Sequence, residues 1–255
     1  MHLETYQPSP ALRPFVQSYL VVDCSRDVLN SMLPGTSLIM GFRYRGSTQY
    51  VENGVARALP FSVVAGLRKS IQFMRDAAGT ANLLVIFNEA GASVFLEEPL
   101  FHLFGEIIAL HDCEGFKAVG ELEEKLSLAA GGMERITLVE QFLLAKLNRR
   151  QADPLVLNAM QLIREHQGFI KIKALAARLH ISLDAFEKRF RRVAGASPKQ
   201  FANIVRMNAL VSNIRHQNFI EAALDAGYYD QAHFNKDFKL FTGQTPTDFL
   251  KNPTP

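Results

Sequence analysis

The sequence predicts a two-domain α+β protein, with a β-rich, barrel-like N-terminal domain trailed by helices and an all-α C-terminal domain. Short apolar runs separated by turn formers predict the first part, and an internal repeat of helical motifs predicts the second. We place a β-rich domain at 1–112, a helical linker or dimerisation segment at 113–152, and a domain of two helix-turn-helix units joined by a long helix at 153–255. The two units are expected at about 170–195 and 218–243.

The first half of the chain has the turn-forming residues expected between the strands of a β domain. Turn formers such as Pro34-Gly35 and Asn53-Gly54 separate the apolar runs, as in hairpins and tight loops. The runs that we predict as strands are Phe15 to Val22, Ser37 to Tyr44, Phe61 to Val64, Ile71 to Met74 and Leu83 to Phe87.

A helical period replaces these runs from about Glu97. Spacings of three and four predict a helix through Leu100, Leu103, Phe104, Ile107 and Ile108, followed by amphipathic helices near 116–130 and 133–150. The helix from Met133 to Lys146 could be a dimer helix or could pack on its own domain. A new domain is predicted to begin at Asp153-Pro154, where Asp153 can cap a helix that starts with proline.

The C-terminal part repeats itself with an offset of 48 residues. Both copies read F-x-K-x-F-x4-G-x-[ST]-P-x-x-F, and the identical pairs are Phe186/Phe234, Lys188/Lys236, Phe190/Phe238, Gly195/Gly243, Pro198/Pro246 and Phe201/Phe249. Phenylalanines at i and i+4 bury one helix face, glycine supplies a left-handed C-cap, and Ser-Pro or Thr-Pro starts the next helix.

A second short helix is predicted upstream of each copy, at Ile172 to Leu179 and at Phe219 to Ala226. Each of these helices carries an alanine where two helices cross closely, Ala176 in the first and Ala223 in the second. The turns are His180-Ile181-Ser182 and Gly227-Tyr228-Tyr229-Asp230, and the predicted N-caps are Ser182, Asp230 and, for the helix from Phe219, Asn218. Each unit is therefore a helix-turn-helix.

Charge separates the two parts of the chain. The net charge is +3, but residues 1–152 hold 14 Lys and Arg against 16 Asp and Glu, whereas residues 153–255 hold 14 against 9. The basic excess of the C-terminal part is expected of a partner for a polyanion. A membrane span and a secretory leader are not predicted, so we expect a cytoplasmic protein. Cys24 and Cys113 are predicted to be small buried residues.

The basic helix faces favour DNA over simple solvation, because both units share the arrangement. In the first unit Phe186, Phe190 and Val193 form the apolar face and leave Lys188, Arg189, Arg191 and Arg192 on the rest of the helix. In the second, Lys236 and Lys239 accompany Gln231 and Asn235, whose amides can read adenine in the major groove.

Residues of about 160–250 resemble the AraC/XylS family of bacterial transcription regulators. The second unit carries the resemblance best, from Ala223 through Gly227, Phe234 and Phe238 to Gly243 and Pro246. In the first unit Leu175-Ala176, Ser182, Phe190, Gly195 and Ser197-Pro198 fit, and so does Arg206 in the long helix. Three positions depart from the family's usual residues: His180 replaces a turn glycine, Phe186 a leucine and Leu210 a small alanine.

The resemblance implies that one chain places two helices in successive major-groove segments of duplex DNA. The linking helix, about Pro198 to Arg215, would be roughly 27 Å long at ~1.5 Å per residue, close to one DNA turn of ~34 Å. The implied base-facing residues are Asp184, Glu187 and Lys188 in the first unit and Gln231, Ala232, Asn235 and Lys236 in the second. We expect Arg191, Arg192 and Lys239 to contact phosphates.

The N-terminal domain is expected to bind an effector or to mediate dimerisation, as the resemblance implies. Its opening, Pro8 to Tyr19, and the Leu33-Pro34-Gly35 turn resemble a subgroup with an uncharacterised sensor domain. Five basic residues could recognise an acidic effector or could be solvated strand faces: Arg43, Arg45, Arg68, Lys69 and Arg75. His2, His102 and His111 are too scattered for a metal site, and His111-Asp112-Cys113 does not predict catalysis.

These observations together predict a sequence-specific, effector-responsive regulator of transcription, with no enzyme activity, cofactor or metal. Its expected partners are promoter DNA and, by the resemblance, RNA polymerase, while a small effector and a homodimer remain open. An enzyme or repair protein with an appended DNA-binding module is one alternative. A helical module that binds protein rather than DNA is the other.

Overall fold

The computed structural model describes residues 1–52, 54–147, 153–213 and 230–251. In those ranges no helix combines the length and the apolarity needed to cross a bilayer. The strands are β1 His2–Tyr6, β2 Val16–Asp23, β3 Val28–Met32, β4 Ile39–Arg45, β5 Thr48–Glu52, β6 Val55–Ala58, β7 Ser62–Ala65, β8 Gln72–Asp76, β9 Ala81–Phe87 and β10 Ile107–Ala109.

These strands form two antiparallel sheets rather than a closed barrel. The first is six-stranded, in the order β1-β2-β9-β4-β7-β10, and the second is four-stranded, in the order β3-β8-β5-β6. Each of the five strands that the apolar runs predict is present, with ends shifted by a few residues. The β-rich N-terminal fold is therefore confirmed, and its barrel-like character is that of two facing sheets.

Alternation along the central strands of the six-stranded sheet gives it two unlike faces. In β9, Leu83, Val85 and Phe87 are fully buried on one face. Leu84 and Ile86 point to the other face, where they line a cavity shared with the four-stranded sheet. Because side chains alternate across a strand, the same two-residue period that builds the core also supplies a cavity wall.

Two helices cover the buried face of the six-stranded sheet: α1 Val119–Leu128 and α2 Gly132–Lys146. α1 packs on β4 and on α2. In α2, Ile136, Val139 and Leu143 are buried, and Arg135 lies over the Tyr44 ring of β4 at 4.0 Å. The segment from Met133 to Lys146 therefore packs on its own domain, and its role in dimerisation stays a prediction.

The expected helix from Leu100 through Ile108 is wrong. The structure has a 3-10 turn at Leu100–Leu103 and then strand β10, which pairs with β7. Only four residues lie between Pro99 and Phe104, and Gly105, at φ 83°, turns the chain away from a helical path. The β-branched pair Ile107-Ile108 then extends the sheet edge, so tertiary pairing overrides the helical spacing.

The C-terminal region is entirely helical wherever it is described. Its helices are α3 Pro154–Glu165, α4 Ile172–Arg178, α5 Leu183–Ala194, α6 Pro198–Asn213, α7 Gln231–Thr242 and α8 Pro246–Lys251. Asp153 caps α3 by accepting from the Leu155 and Val156 amides, as its place before Pro154 predicts. The predicted helix start at Pro154, with Asp153 as its cap, is therefore confirmed.

The 48-residue repeat is visible as two matching phenylalanine clusters. The rings of Phe186, Phe190 and Phe201 pack in sequence with centroids 5.6 and 5.5 Å apart. Phe234, Phe238 and Phe249 repeat the arrangement at 5.6 and 5.6 Å. The packed rings thus join each of α5 and α7, which we call the recognition helices, to the helix that follows it.

The predicted caps of both recognition helices are confirmed. Ser182 accepts from the Ala185 amide at the start of α5, and Asp230 accepts from the His233 amide at the start of α7. At the other ends Gly195 and Gly243 adopt left-handed conformations, with φ of 76° and 78°. The two units therefore begin and end their recognition helices in the same way.

Some predictions lie outside the described residues. They are the first helix of the second unit, Phe219 to Ala226, with Ala223, the Asn218 cap and the turn residues Gly227, Tyr228 and Tyr229. The end of the linking helix at Arg215, the first residue of the Asn53-Gly54 turn, and residues 148–152 before the predicted domain boundary belong there too.

Candidate nucleic-acid interface

The predicted reading face of α5 is accessible. Asp184, Lys188, Arg191 and Arg192 are exposed and Glu187 is half-buried. Spacings of three and four place them on one side of the helix, opposite the buried phenylalanines. The structure thus brings the predicted residues of the first unit together on one surface, and that surface carries two acidic side chains among its cations.

The corresponding face of α7 is also accessible. Gln231, Ala232, Lys236 and Lys239 are exposed and Asn235 is half-buried. Gln231, Asn235 and Lys239 follow one another at intervals of four residues, so both amides and a cation lie along one line of the helix surface. This face has the hydrogen-bonding groups that read purine edges in the major groove.

The C-terminal half of α5 is packed against the N-terminal region. The Arg191 guanidinium lies 5.2 Å from the centroid of the Phe101 ring, in the 3-10 turn at Leu100–Leu103. Arg192 borders a surface depression that also contains Glu97 and Glu98. Both predicted phosphate contacts of the first unit therefore have aromatic or acidic neighbours from the N-terminal region.

The second unit meets the N-terminal region at the end of α7. The Ile71 amide, just before β8, donates to the Leu240 carbonyl at 3.2 Å. A Cβ placed on Gly243, the C-cap of α7, would lie 3.4 Å from the Ile71 side chain and 3.6 Å from Phe73. The contact uses the far end of the helix, and Gln231 and Asn235 lie at or near its N-terminal end.

Two further contacts join the regions. Asn208 Nδ2, in α6 between the two units, donates to the Pro34 carbonyl at 2.9 Å. Arg164, in α3, pairs with Glu89 after β9, with its Nε 2.9 Å from the carboxylate. Both partners from the N-terminal region lie in loops at strand ends, so the sheets hold the helical region through their connecting segments.

A cavity of about 470 Å³ lies between the two sheets. Its walls are mainly apolar and include Leu20 from β2, Ile39 from β4 and Met74 from β8. Leu33 and Gly35, which flank the Pro34 carbonyl, also line it, as do Arg68 and Gln72 on either side of Ile71. The two segments that touch α6 and α7 are therefore cavity walls as well.

The five basic residues considered for an acidic effector divide into two groups. Arg43 and Arg68 line the cavity, whereas Arg45, Lys69 and Arg75 are exposed side chains that do not. Burial lowers the pKa of Arg43 from its usual value, and the nearby charges of Asp76 and Glu123 act in the opposite direction. Solvent exposure is thus confirmed for Arg45, Lys69 and Arg75, and recognition of an acidic effector by Arg43 and Arg68 stays a prediction.

Residues 175–252 match a family of helix-turn-helix domains. The chain is also 27% identical over 117 residues to an uncharacterised HTH-type transcriptional regulator of Haemophilus influenzae. That match covers 45% of this chain and 38% of the relative, so the chain spans well under half of that protein. The C-terminal region of this chain is an AraC-type helix-turn-helix domain, which confirms the resemblance seen in its motifs.

Two solved structures are similar to this chain. The match to ToxT from Vibrio cholerae covers 98% of this chain and 98% of the ToxT chain, at 11% identity and a TM-score of 0.45. The match to a probable AraC family transcriptional regulator from Rhodopseudomonas palustris covers 40% of this chain and 100% of that regulator's chain, at 29% identity and a TM-score of 0.35.

Proposed function

We propose that the protein is a sequence-specific DNA-binding transcription regulator that responds to an effector bound in its N-terminal cavity. The observation that carries the first part is the repeated scaffold: α5 and α7 share caps and phenylalanine clusters, and both present accessible polar faces. A chain with two such units can occupy two successive major-groove segments of one duplex.

In the proposed complex some side chains contact base edges and others contact phosphates, according to their chemistry. Gln231 and Asn235 read adenine through paired amide hydrogen bonds, and Lys188 and Lys236 read guanine. Asp184 and Glu187 can accept only from a base amino group such as that of cytosine, and they repel phosphates. Ala232 offers a methyl contact to thymine. Lys239 contacts a phosphate, which adds affinity without sequence information. Arg191 and Arg192 contribute less to such contacts, because Phe101, Glu97 and Glu98 of the N-terminal region lie beside them.

Effector response is supported by the positions of the cavity walls. The segment around Ile71 contacts α7, and the segment around Pro34 contacts α6, while neighbours of both line the cavity. A ligand that shifts either segment changes contacts to the second unit or to the helix that links the units. Such differential contacts are what a ligand needs to bias one arrangement of the units over another.

We propose no catalytic activity for the N-terminal region. Burial raises the pKa of Cys24, and it raises the pKa of the Cys113 thiol to about 12. A thiol with so high a pKa is protonated at neutral pH and is a poor nucleophile. Among residues 1–52, 54–147, 153–213 and 230–251, no three His, Cys, Asp or Glu side chains are grouped so that they could hold a metal ion. We further propose that the protein is cytoplasmic, as the sequence predicts, and that it contacts RNA polymerase and forms a homodimer, both of which rest on the family resemblance.

A salt titration tests DNA binding against the protein-binding alternative. Binding of the full chain to a random duplex should weaken as salt rises, with log K falling linearly with log salt at a slope of about −0.9 per phosphate contact. Lys239→Gln should reduce the slope by about 0.9, whereas Arg75→Gln, an exposed change on β8, should leave it unchanged. Absence of binding at low salt would contradict the proposal.

A further inference from the structure

Arg68 places a positive charge inside the cavity with neutral neighbours. Its side chain is 7% exposed, and its guanidinium lies 5.7 Å from the centroid of the Tyr50 ring. With its amide oriented to suit these neighbours, Gln72 accepts from both terminal nitrogens of Arg68, at 3.1 and 3.2 Å. No carboxylate in the described ranges lies within 4 Å of this guanidinium. A buried charge without a counterion is costly to the protein.

Arg43 adds a second cation to the same cavity. Its Nε is buried and has no hydrogen-bond partner, and the Phe61 ring lies 4.7 Å from its guanidinium carbon. A buried, unpaired donor costs desolvation energy that a ligand acceptor would recover. Arg43 thus supplies both a charge and an unused hydrogen bond.

The one acidic wall residue, Asp76, is already occupied by neutral donors. Its carboxylate accepts from Thr48 Oγ1 at 2.6 Å, from Asn30 Nδ2 at 3.1 Å and from Asn82 Nδ2 at 3.3 Å. It makes no ion pair with Arg43 or Arg68 within 4 Å. The side chains of the wall therefore carry two arginines against one aspartate, and one donor, Arg43 Nε, lacks an acceptor.

We propose that the cavity binds an organic monoanion with a compact apolar body, whose anionic group is held by Arg68 and Arg43. The inference rests on the proposed effector role of the cavity and names the chemical class of that effector. The apolar walls exclude a polyol, which would leave many hydroxyls unpaired, and the excess positive charge excludes an amine. A cavity of this size lies within the range that holds drug-sized ligands.

Three naphthalene probes that differ in charge test the proposal on the full chain. The neutral dye N-phenyl-1-naphthylamine, which fluoresces in apolar sites, reports occupancy and is displaced by 1-naphthoate, 1-naphthalenemethanol or 1-naphthylmethylamine. We expect the carboxylate to displace the dye at about one-tenth of the concentration of the alcohol, since charge-assisted hydrogen bonds are the stronger kind. The amine should be the weakest of the three.

Matched variants assign that preference to the cavity. Arg68→Gln and Arg43→Gln should each reduce the carboxylate preference, and the double variant should abolish it, while Arg75→Gln on the outer face of β8 should keep it. Gly41→Leu, which extends a side chain from the cavity wall, should prevent dye binding. Dye binding that survives Gly41→Leu would place the probes elsewhere and overturn the proposal.

Two other results would overturn it in distinguishable ways. Equal displacement by all three probes, with dye binding still blocked by Gly41→Leu, would leave an effector cavity without charge selection. A carboxylate preference that survives the double arginine variant would assign the charge recognition to other residues. Failure of the DNA-binding proposal appears in a separate assay, the salt titration.

Stability of the ligand-free protein gives a second readout. Arg68→Met keeps the aliphatic stem and removes the charge, so we expect a rise in the thermal midpoint of a few degrees, as when buried charges are replaced by apolar side chains. Because Arg43 and the apolar walls remain in Arg68→Met, 1-naphthoate at one fixed concentration should raise the midpoint of the wild type more than that of Arg68→Met. A lower midpoint for Arg68→Met would make Arg68 a structural residue and contradict the proposal.

Discussion

The two helix-turn-helix units share one scaffold and differ in what surrounds it. The first recognition helix, α5, presents Asp184 and Glu187, and the 3-10 turn at Leu100–Leu103 packs on its C-terminal half. The second, α7, presents Gln231 and Asn235 and meets the sheets near its C-terminal end. We propose from this difference that the two units divide their tasks, the second unit carrying most of the sequence reading and the first contributing position more than sequence.

The largest expected effect tests the shared scaffold. Phe190→Ala and Phe238→Ala each remove a fully buried ring from equivalent clusters, so each should lower the free energy of unfolding by about 3–5 kcal/mol. Urea titration followed by circular dichroism measures both, and the exposed Leu183→Ala is the control. If one of the two costs under about 1 kcal/mol, the clusters are not equivalent and the comparison fails.

Much of the helical region could be predicted because its signals are local. Prolines, capping residues and left-handed glycines fix helix ends, and phenylalanines at i and i+4 fix the buried face. Even His180 adopts the turn conformation usually taken by glycine, at φ 54°. The reading faces followed from the same spacing, since a helix that buries Phe186 and Phe190 must expose the opposite side.

The N-terminal region was less predictable because its signals are not local. β1, β3, β5 and β6 are short strands with few buried residues, and they are held by pairing with neighbours rather than by an apolar run. The cavity arises between two sheets whose order could not be inferred from spacing. Alternation in Ile39, Gly41 and Arg43 was the one available signal that these residues share a face.

A second prediction concerns the phosphate contacts, where the units should differ in salt dependence. Because Arg191 packs on Phe101, Arg191→Gln should change the salt slope of the full chain less than Lys239→Gln does, by well under about 0.9. Replacing the ring by Phe101→Ala should free the guanidinium and strengthen binding at low salt. Equal slopes for both single variants would mean that the first unit is as free to meet DNA as the second.

The smallest expected effect concerns the turn of the first unit. A residue other than glycine in the left-handed conformation costs about 1–2 kcal/mol of stability. Replacing it with glycine removes that strain but costs roughly 0.5–1 kcal/mol, because glycine loses more chain entropy on folding. His180→Gly should therefore stabilise the protein by about 0.5 kcal/mol. Ala185→Gly in the exposed face of α5 is the control, and it should cost about 1 kcal/mol. Destabilisation by His180→Gly would show that the imidazole makes contacts that outweigh the strain.

The most direct test of the division of tasks compares alanine variants of the two reading faces on a site selected from random duplexes. The account predicts that Asn235→Ala and Gln231→Ala each weaken the selected site by about 1–3 kcal/mol and leave random duplex unchanged. Asp184→Ala and Glu187→Ala should preserve the preference for the selected site. Equal losses on selected and random duplex for Asn235→Ala, or a loss of preference for Glu187→Ala as large as that for Asn235→Ala, would contradict it.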